Sequence, residues 1–242
     1  MRKNNKNSKK KTKVIDLTNS NLNQDGAIYR NRLKPRSDNQ KEYIRTIAEN
    51  TITFCQGVAG SGKTHIAVGM AIEYLLDSKI SRIVITRPVV ESGEKIGYLP
   101  GTAEEKLHPY LLPLLDEVNY FISSAQFASL KLNNKIEIVP LGLMRGRNFH
   151  NCFIVADECQ NASYDQLKML LTRIGNNSRM VLTGDISQSD LNRNMRGGFL
   201  DMMSALDGTE GIGVANLTFS DIVRNPIIGK ILSRLDHYEN SK

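Results

Sequence analysis

Residues 57–64 read Gly57-Val-Ala-Gly60-Ser-Gly62-Lys63-Thr64, and this stretch decides the fold. It matches the pattern G-x-x-x-x-G-K-[ST] at every position. The run Thr51–Gln56 before it is β-branched and aromatic, and Lys63–Asp77 after it carries apolar residues at helical spacing. A strand, a glycine-rich turn and a helix in this order are typical of a phosphate-binding loop, because inward backbone N–H groups and the helix N-terminus attract phosphate oxygens.

The loop therefore predicts a nucleotide site with magnesium. Lys63 supplies a full positive charge for the β- and γ-phosphates, and Thr64 supplies a hydroxyl for Mg²⁺. The residues expected to contact the nucleotide are Gly57, Val58, Ala59, Gly60, Ser61, Gly62, Lys63 and Thr64.

Working outward, the chain alternates between short apolar runs and helical patterns. Runs that predict strands are Thr51–Gln56, Arg82–Thr86, Ile136–Val139, Cys152–Ala156, Met180–Thr183 and Val214–Phe219. Helices are predicted at Lys63–Asp77, Ser163–Ile174 and Ile227–Tyr238, and a helix broken by Pro109 and Pro113 is predicted within Gly101–Leu132. Continuous apolar strands between helices indicate a mostly parallel α/β sheet with helices on both faces.

Two further motifs follow predicted strands. Asp157 and Glu158 come directly after the run CFIVA, where buried carboxylates are costly unless a positive group faces them. We expect Asp157 to hold Mg²⁺ and Glu158 to act as the general base on the attacking water. Gln188, in Thr183-Gly-Asp185-Ile-Ser-Gln188, is expected to contact the γ-phosphate or water and to sense hydrolysis.

Charge is concentrated at the N-terminus. The formal net charge is +7, and residues 1–40 hold eleven basic residues against three acidic ones. We expect residues 1–36 to be a disordered basic leader that contacts nucleic-acid phosphates, and residues 37–242 to form one ATPase domain. No apolar run is long enough to span a membrane, and the three cysteines lack metal-ligand spacing, so we expect buried thiols.

Together these motifs resemble the PhoH-like ATPase family, which is related to the superfamily 1 helicase core. The resemblance covers about residues 37–238 and includes Thr86-Arg87-Pro88, Met144–Arg147, DECQN at 157–161, GDISQ at 184–188 and Ser220–Arg224. It implies a three-layer P-loop NTPase fold of the RecA-like type, with ATP and Mg²⁺ as ligands. It also implies that Gln40, in SDNQKEY, reads adenine, and that the protein works in the cytoplasm of a bacterium or of a phage-infected host.

The resemblance further implies assembly of identical subunits. Few residues follow Gln188, so we expect the arginine that stabilises γ-phosphate charge to come from a neighbouring copy in a ring, which the family suggests is a hexamer. Arg224 is the first candidate for this catalytic arginine, and Arg145 and Arg147 are the next.

The leading functional hypothesis is an ATP hydrolase coupled to RNA or single-stranded DNA, and three alternatives stay open. A P-loop kinase would transfer phosphate to a small acceptor, but it would not need Glu158 to activate water. A GTP-dependent switch would need a guanine-reading motif, for which Asn134–Glu137 is the nearest candidate. A nucleotide-binding protein without turnover would keep the phosphate-binding loop but would not hydrolyse the bound nucleotide.

Overall fold

The computed structural model describes residues 29–89, 103–191 and 198–222, together with single helical positions at 231, 234 and 238. Its sheet contains β1 (Ile52–Gly57), β2 (Arg82–Arg87), β3 (Ile136–Pro140), β4 (Cys152–Ala156), β5 (Arg179–Gly184) and β6 (Ile212–Leu217). All neighbouring strands pair in parallel, in the order β3-β2-β4-β5-β1-β6. The carboxyl ends of β1, β5 and β4 are therefore adjacent, which brings the three predicted motifs to one edge.

Helices cover both faces of this sheet. They are α1 (Asp38–Glu49), α2 (Lys63–Leu76), α3 (Ala103–Phe121), α4 (Ser124–Leu132), α5 (Tyr164–Leu171) and α6 (Gly198–Leu206). Strand side chains alternate between two cores: Cys55 packs in the core that includes α1, α2 and α3, and Phe54 packs in the core that includes α5 and α6. The predicted three-layer α/β architecture is confirmed, because parallel strands buried on both faces need a helix layer on each side.

Helix α3 differs from the prediction. We expected the prolines to break this segment, but α3 runs through Pro109 and Pro113, and the interruption comes only after Phe121. An interior proline costs about 3 kcal/mol or more, since it removes a hydrogen bond and crowds the preceding turn. Leu114, Val118 and Phe121 are almost completely buried on this helix, so tertiary packing offsets that cost.

The start of the folded domain also differs. We placed the boundary at Ser37, where the Ser37 side chain caps α1. The chain already packs on the domain before that point: Tyr29 is buried in the core, Leu33 packs beside it, and the Arg30 backbone N–H donates to the Phe121 carbonyl at 2.8 Å. The apolar residues at 29 and 33 anchor this part of the predicted leader, whereas residues 1–28 lie outside the described residues.

The C-terminal predictions have mixed outcomes. The last strand, expected at 214–219, ends at Leu217, because Thr218 leaves the ladder to cap a 3₁₀ turn at Phe219–Asp221. The predicted helix at 227–238 lies outside the described residues except for its single helical positions. Of the helices in the described ranges, none combines the length and apolar composition that crossing a bilayer requires.

Candidate active site

The loop between β1 and α2 has the backbone that its glycines allow. Gly60 and Gly62 adopt left-handed φ angles of 80° and 94°, which side-chain-bearing residues rarely adopt. Gly57 is required for a different reason: a Cβ there would lie 2.7 Å from the Leu217 carbonyl oxygen of β6. The loop therefore turns tightly over the end of β1 and leads into the N-terminus of α2, a geometry suited to an anion.

Lys63 lies over this loop. Its Nζ donates to the carbonyls of Gly57 at 2.6 Å and Val58 at 2.9 Å. The Ser61 hydroxyl also donates to the Val58 carbonyl, at 2.8 Å, and so closes the turn from inside. The ammonium group is thus held at the mouth of the loop, where it can reach phosphate oxygens.

Asp157 joins the three motifs through one carboxylate oxygen. The hydroxyls of Thr64 and Thr183 each donate to Asp157 Oδ1 at 2.6 Å. Asp157 is only 4% exposed, and its own backbone N–H donates to the Thr86 carbonyl at 2.9 Å. The first helical turn of α2, the end of β4 and the end of β5 therefore meet at this carboxylate.

This donor set fits magnesium. A hydroxyl and a carboxylate at hydrogen-bond distance supply the hard oxygen ligands that Mg²⁺ prefers. Within the described ranges, no group of three or more His, Cys, Asp and Glu side chains could hold a metal. A Mg²⁺ ion held by Thr64 and Asp157 would complete its shell with water and phosphate oxygens, as this ion usually does.

Glu158 follows Asp157 in a left-handed conformation, with φ 54°. Its Oε1 lies 3.7 Å from Arg87 Nη2, so the carboxylate faces the end of β2. Glu158 also lines the cleft in front of the loop together with Thr64. The carboxylate is partly exposed beside the phosphate loop, and the role of Glu158 as a general base stays a prediction.

Gln160 contacts the Glu158 carboxylate oxygen that Arg87 does not contact. The residue pattern alone indicated no role for Gln160. Its Nε2 donates to Glu158 Oε2 and to the Gln188 carbonyl, the latter at 3.2 Å, while its Oε1 accepts from the Asp185 backbone N–H at 3.0 Å. Gln160 is 4% exposed. The available signal in the sequence was an amide residue two positions after the acidic pair, but only the fold shows which groups it binds.

Gln188 contacts the site residues through its backbone. Its carbonyl accepts from Gln160, and its N–H donates to the Asp185 carbonyl at 3.1 Å. The Gln188 side chain is exposed and forms no hydrogen bond with the described part of the chain. The loop after β5 thus lies next to Glu158, and the sensing role of the Gln188 side chain stays a prediction.

Gln40 lies beneath the phosphate loop. Its Nε2 donates to the Ser61 carbonyl at 2.9 Å and to the Asp221 carbonyl at 3.4 Å, and its Oε1 accepts from the Arg36 backbone N–H at 2.8 Å. The side chain is almost fully buried and also lines the cleft. In this geometry the amide braces the loop, and adenine reading stays a prediction.

The candidate arginines have different surroundings. Arg147 forms a bidentate pair with Glu137 at 2.6 and 2.7 Å and lies over the Phe149 ring. These hydrogen bonds hold the pKa of the Glu137 carboxyl below its usual range, although partial burial opposes them. Arg147 is therefore engaged by Glu137, and its contact with a phosphate stays a prediction. Arg145 is exposed, and Arg224 lies outside the described residues.

The thiols are buried, as expected, and free of disulfides among the described residues. Burial raises the pKa of the Cys55 thiol to about 12. Burial, followed by the nearby Asp157 and Glu158 carboxylates, also raises the pKa of Cys159. Neutral buried thiols are poor nucleophiles, so the two cysteines nearest the site act as packing groups.

The cleft in front of the loop has a volume of about 480 Å³. Its lining combines the phosphate loop with α3 and the segment before α1. The lining residues are Lys34, Arg36, Gln40, Ala59, Gly60, Gly62, Lys63, Thr64, His65, Asp116, Glu117, Tyr120 and Glu158. A cleft of this size, with cations and backbone donors at one end, suits a nucleotide.

Comparison with known proteins gives a consistent set of relatives. The profile of the family described as PhoH-like protein matches residues 32–236. A PhoH-like protein from Synechocystis sp. is 40% identical over 209 residues, covering 86% of this chain and 64% of that protein. Protein PhoH of Escherichia coli K12 is 35% identical over 199 residues, covering 81% of this chain and 56% of that protein. The chain thus spans less than two thirds of these relatives.

A solved structure supports the fold. The large terminase from a thermophilic bacteriophage aligns with a TM-score of 0.53 and 10% identity, covering 83% of this chain and 50% of that chain. At this level of identity the likeness shows the fold alone.

Proposed function

This chain belongs to the PhoH-like protein family, and from that premise we propose that it hydrolyses ATP and couples the turnover to RNA or single-stranded DNA. The single observation that carries the ATPase proposal is the shared carboxylate oxygen of Asp157, which accepts from both Thr64 and Thr183. That contact joins the phosphate loop, the acidic pair and the end of β5, and it supports the proposal that the three act on one bound triphosphate.

The chemistry follows from the positions of these side chains. Lys63 releases the loop carbonyls and binds the β- and γ-phosphates. Thr64 and Asp157 would hold Mg²⁺, which when bound would supply positive charge to the phosphate oxygens. Glu158 accepts the proton of the attacking water, and Gln160 fixes the direction in which its carboxylate points. The phosphoryl group passes to water, and ADP and phosphate leave.

The alternatives are less well supported. A guanine-reading role for Asn134–Glu137 is disfavoured, because Arg147 engages the Glu137 carboxylate and three strands separate β3 from β1. Neither a kinase nor a nucleotide-binding protein without turnover would need Glu158 beside the loop to activate a water molecule. Each alternative predicts less phosphate release to water than an ATP hydrolase would show.

The test measures ATP and GTP binding and phosphate release, with and without RNA. Lys63→Ala should remove nucleotide binding, because the phosphates lose a full positive charge. Glu158→Gln should keep ATP bound and lower kcat by about 10²–10⁴, because an amide cannot accept the proton. Glu49→Gln, at an exposed position on α1, is the matched control and should keep normal turnover.

Near-normal hydrolysis by Glu158→Gln would refute the base assignment. Transfer of phosphate to a small acceptor without release to water would establish the kinase alternative. Tight ATP binding by the wild-type chain without release under any condition would leave a binding protein.

A further inference from the structure

We infer that the segment from Arg30 to Arg36 and the adjoining ring of Tyr120 form a built site for the phosphate backbone of a single-stranded polynucleotide. We call this segment the basic strip. The inference deepens the nucleic-acid part of the proposed function and rests on that part, but it does not depend on hydrolysis.

The basic strip alternates between exposed and partly buried residues. Its four cations are exposed, whereas the residues between them are partly buried. The exposed cations are Arg30, Arg32, Lys34 and Arg36. The strip therefore presents a positive charge at every second residue along its exposed side. A row of four such charges suits a repeating polyanion.

The strip is fixed to the domain before any ligand binds. The backbone N–H of Arg30 donates to the Phe121 carbonyl at 2.8 Å, and Asn31 Nδ2 donates to the Tyr120 carbonyl at 2.7 Å. At its other end, the Arg36 N–H bonds Gln40. A ligand therefore meets an ordered row of cations, which lowers the entropy cost of binding.

The positive charge of the strip is available. None of its four cations forms an ion pair within 4 Å in the described ranges. Nearby carboxylates are engaged elsewhere: Glu117 contacts His65 at 2.8 Å, and Asp77 accepts from Tyr29 and pairs with Lys79. Glu73 is half-buried and accepts a hydrogen bond from the Leu33 backbone, and its interaction with Arg32 is weaker than that bond.

The strip also borders a concave pocket of about 330 Å³, lined by its four cations, His65 and Tyr120. Lys34, Arg36, His65 and Tyr120 line the nucleotide cleft as well, so the pocket and the cleft are continuous. The Tyr120 side chain is 42% exposed and packs edge-on against His65. Cations that track a backbone, with an aromatic ring for base stacking, are the usual elements of single-strand binding.

The experiment measures binding of labelled oligo-dT and oligo-rU to the full chain across a salt series. The variant Arg30→Gln/Arg32→Gln changes cations that line the pocket and not the nucleotide cleft. Losing two phosphate contacts should make the slope of log K against log[salt] shallower by about 1.4. The control Lys131→Gln/Lys168→Gln removes two exposed cations elsewhere and should keep the slope.

A second variant tests the ring by a different readout. Tyr120→Leu should weaken binding by roughly tenfold without changing the salt slope, because stacking releases no counterions. Tyr120→Phe should bind normally, and thermal melting verifies that each variant is folded. Stronger binding of one oligonucleotide identifies which polynucleotide the site prefers.

Equal slopes for the wild type and the arginine variant would overturn the inference and leave the proposed function standing. Absence of oligonucleotide binding by the wild type would instead refute the nucleic-acid part of that function, and the inference with it. Weakened ATP binding with unchanged oligonucleotide binding would assign the strip to the mononucleotide and overturn the inference. Preferential binding to phosphatidylserine vesicles through the same arginines would overturn it as well.

Discussion

Gln160 connects the acidic pair to the loop after β5, although the motif at 157–161 alone does not indicate its hydrogen-bond partners. Its amide has a donor for the Glu158 carboxylate and an acceptor for the Asp185 backbone, so both ends of the group are engaged. A general base must point at the attacking water, and small displacements of catalytic groups can cost about a hundredfold in rate. We therefore regard Gln160 as a positioning residue for Glu158.

Gln160→Ala should lower kcat for ATP by about tenfold to a hundredfold and leave the ATP dissociation constant nearly unchanged. The physical reason is that Glu158 loses its orienting donor while the phosphate loop stays intact. The measurement is steady-state hydrolysis together with equilibrium ATP binding.

Asn161→Ala is the matched control, because that neighbouring amide bonds Asp190 and not Glu158. It should keep kcat closer to the wild-type value. An equal loss of kcat in both variants would mean that the whole turn, and not the Gln160 contact, supports catalysis.

At the scale of elements, the start of α1 is fixed by a residue from the far end of the chain. Asp221 accepts from the Ser37 hydroxyl at 2.6 Å, from Asn39 Nδ2 at 3.0 Å and from the Thr218 backbone N–H at 2.6 Å. Burial alone would raise the pKa of this carboxyl, but the hydrogen bonds hold it below its ordinary value. The same 3₁₀ turn supplies a carbonyl to Gln40, which braces the phosphate loop.

Asp221→Asn should lower the free energy of unfolding near neutral pH by about 1–3 kcal/mol, because an amide nitrogen replaces one accepting oxygen. The folded-state pKa lies below the unfolded value of about 3.9, so the carboxylate contributes its full stability above that pH. The contribution is lost as pH falls through the folded-state pKa. Urea unfolding across acidic pH should therefore show the two proteins converging as the pH falls.

Ser123→Ala provides the comparison, since Ser123 caps α4 only through its contact with the Gln126 backbone. It should cost about 0.5–2 kcal/mol with no added pH dependence. A pH-independent difference between Asp221→Asn and wild type would show that charge at Asp221 does not stabilise this junction.

At the scale of the whole molecule, the open question is which arginine stabilises the γ-phosphate. Arg87 contacts Glu158 at 3.7 Å and belongs to the same subunit. Our expectation from the sequence is that Arg224 acts across an interface between copies in a ring. An experiment can distinguish the roles of Arg87 and Arg224, because a residue that acts in trans can be supplied by a different subunit.

Mixing Arg224→Ala subunits with Lys63→Ala subunits should restore some hydrolysis that neither variant has alone, since some interfaces combine an intact loop with an intact arginine. Loss of such an arginine should cost a factor of about a thousand in kcat. Phosphate release and sedimentation of the mixtures are the measurements.

The matched mixture uses Arg87→Ala with Lys63→Ala. It should stay inactive if Arg87 acts within its own subunit. Full activity of Arg224→Ala, Arg145→Ala and Arg147→Ala alike, or full activity of a monomeric wild type at nanomolar concentration, would refute a shared site.

The sequence by itself determined the fold class and the strand, loop and helix around residues 57–64. The loop at 57–64 needs particular glycines, and apolar runs report strands directly, because both signals depend on neighbours in the chain. The same local signals predict that Thr64 and Asp157 both bind Mg²⁺, since acidic residues after a buried strand need a positive partner. The structure places the two side chains in hydrogen-bond contact.

Only the tertiary structure decided which partners the remaining polar residues take. The placement of β5 next to β4 brings the Asp185 backbone N–H and the Gln188 carbonyl to Gln160, and Glu137 and Phe149 engage Arg147. The docking of Tyr29 on the core turns part of a basic leader into an ordered strip. Several of these contacts join residues far apart in sequence, and their energies depend on burial and distance, which no local pattern of residue types contains.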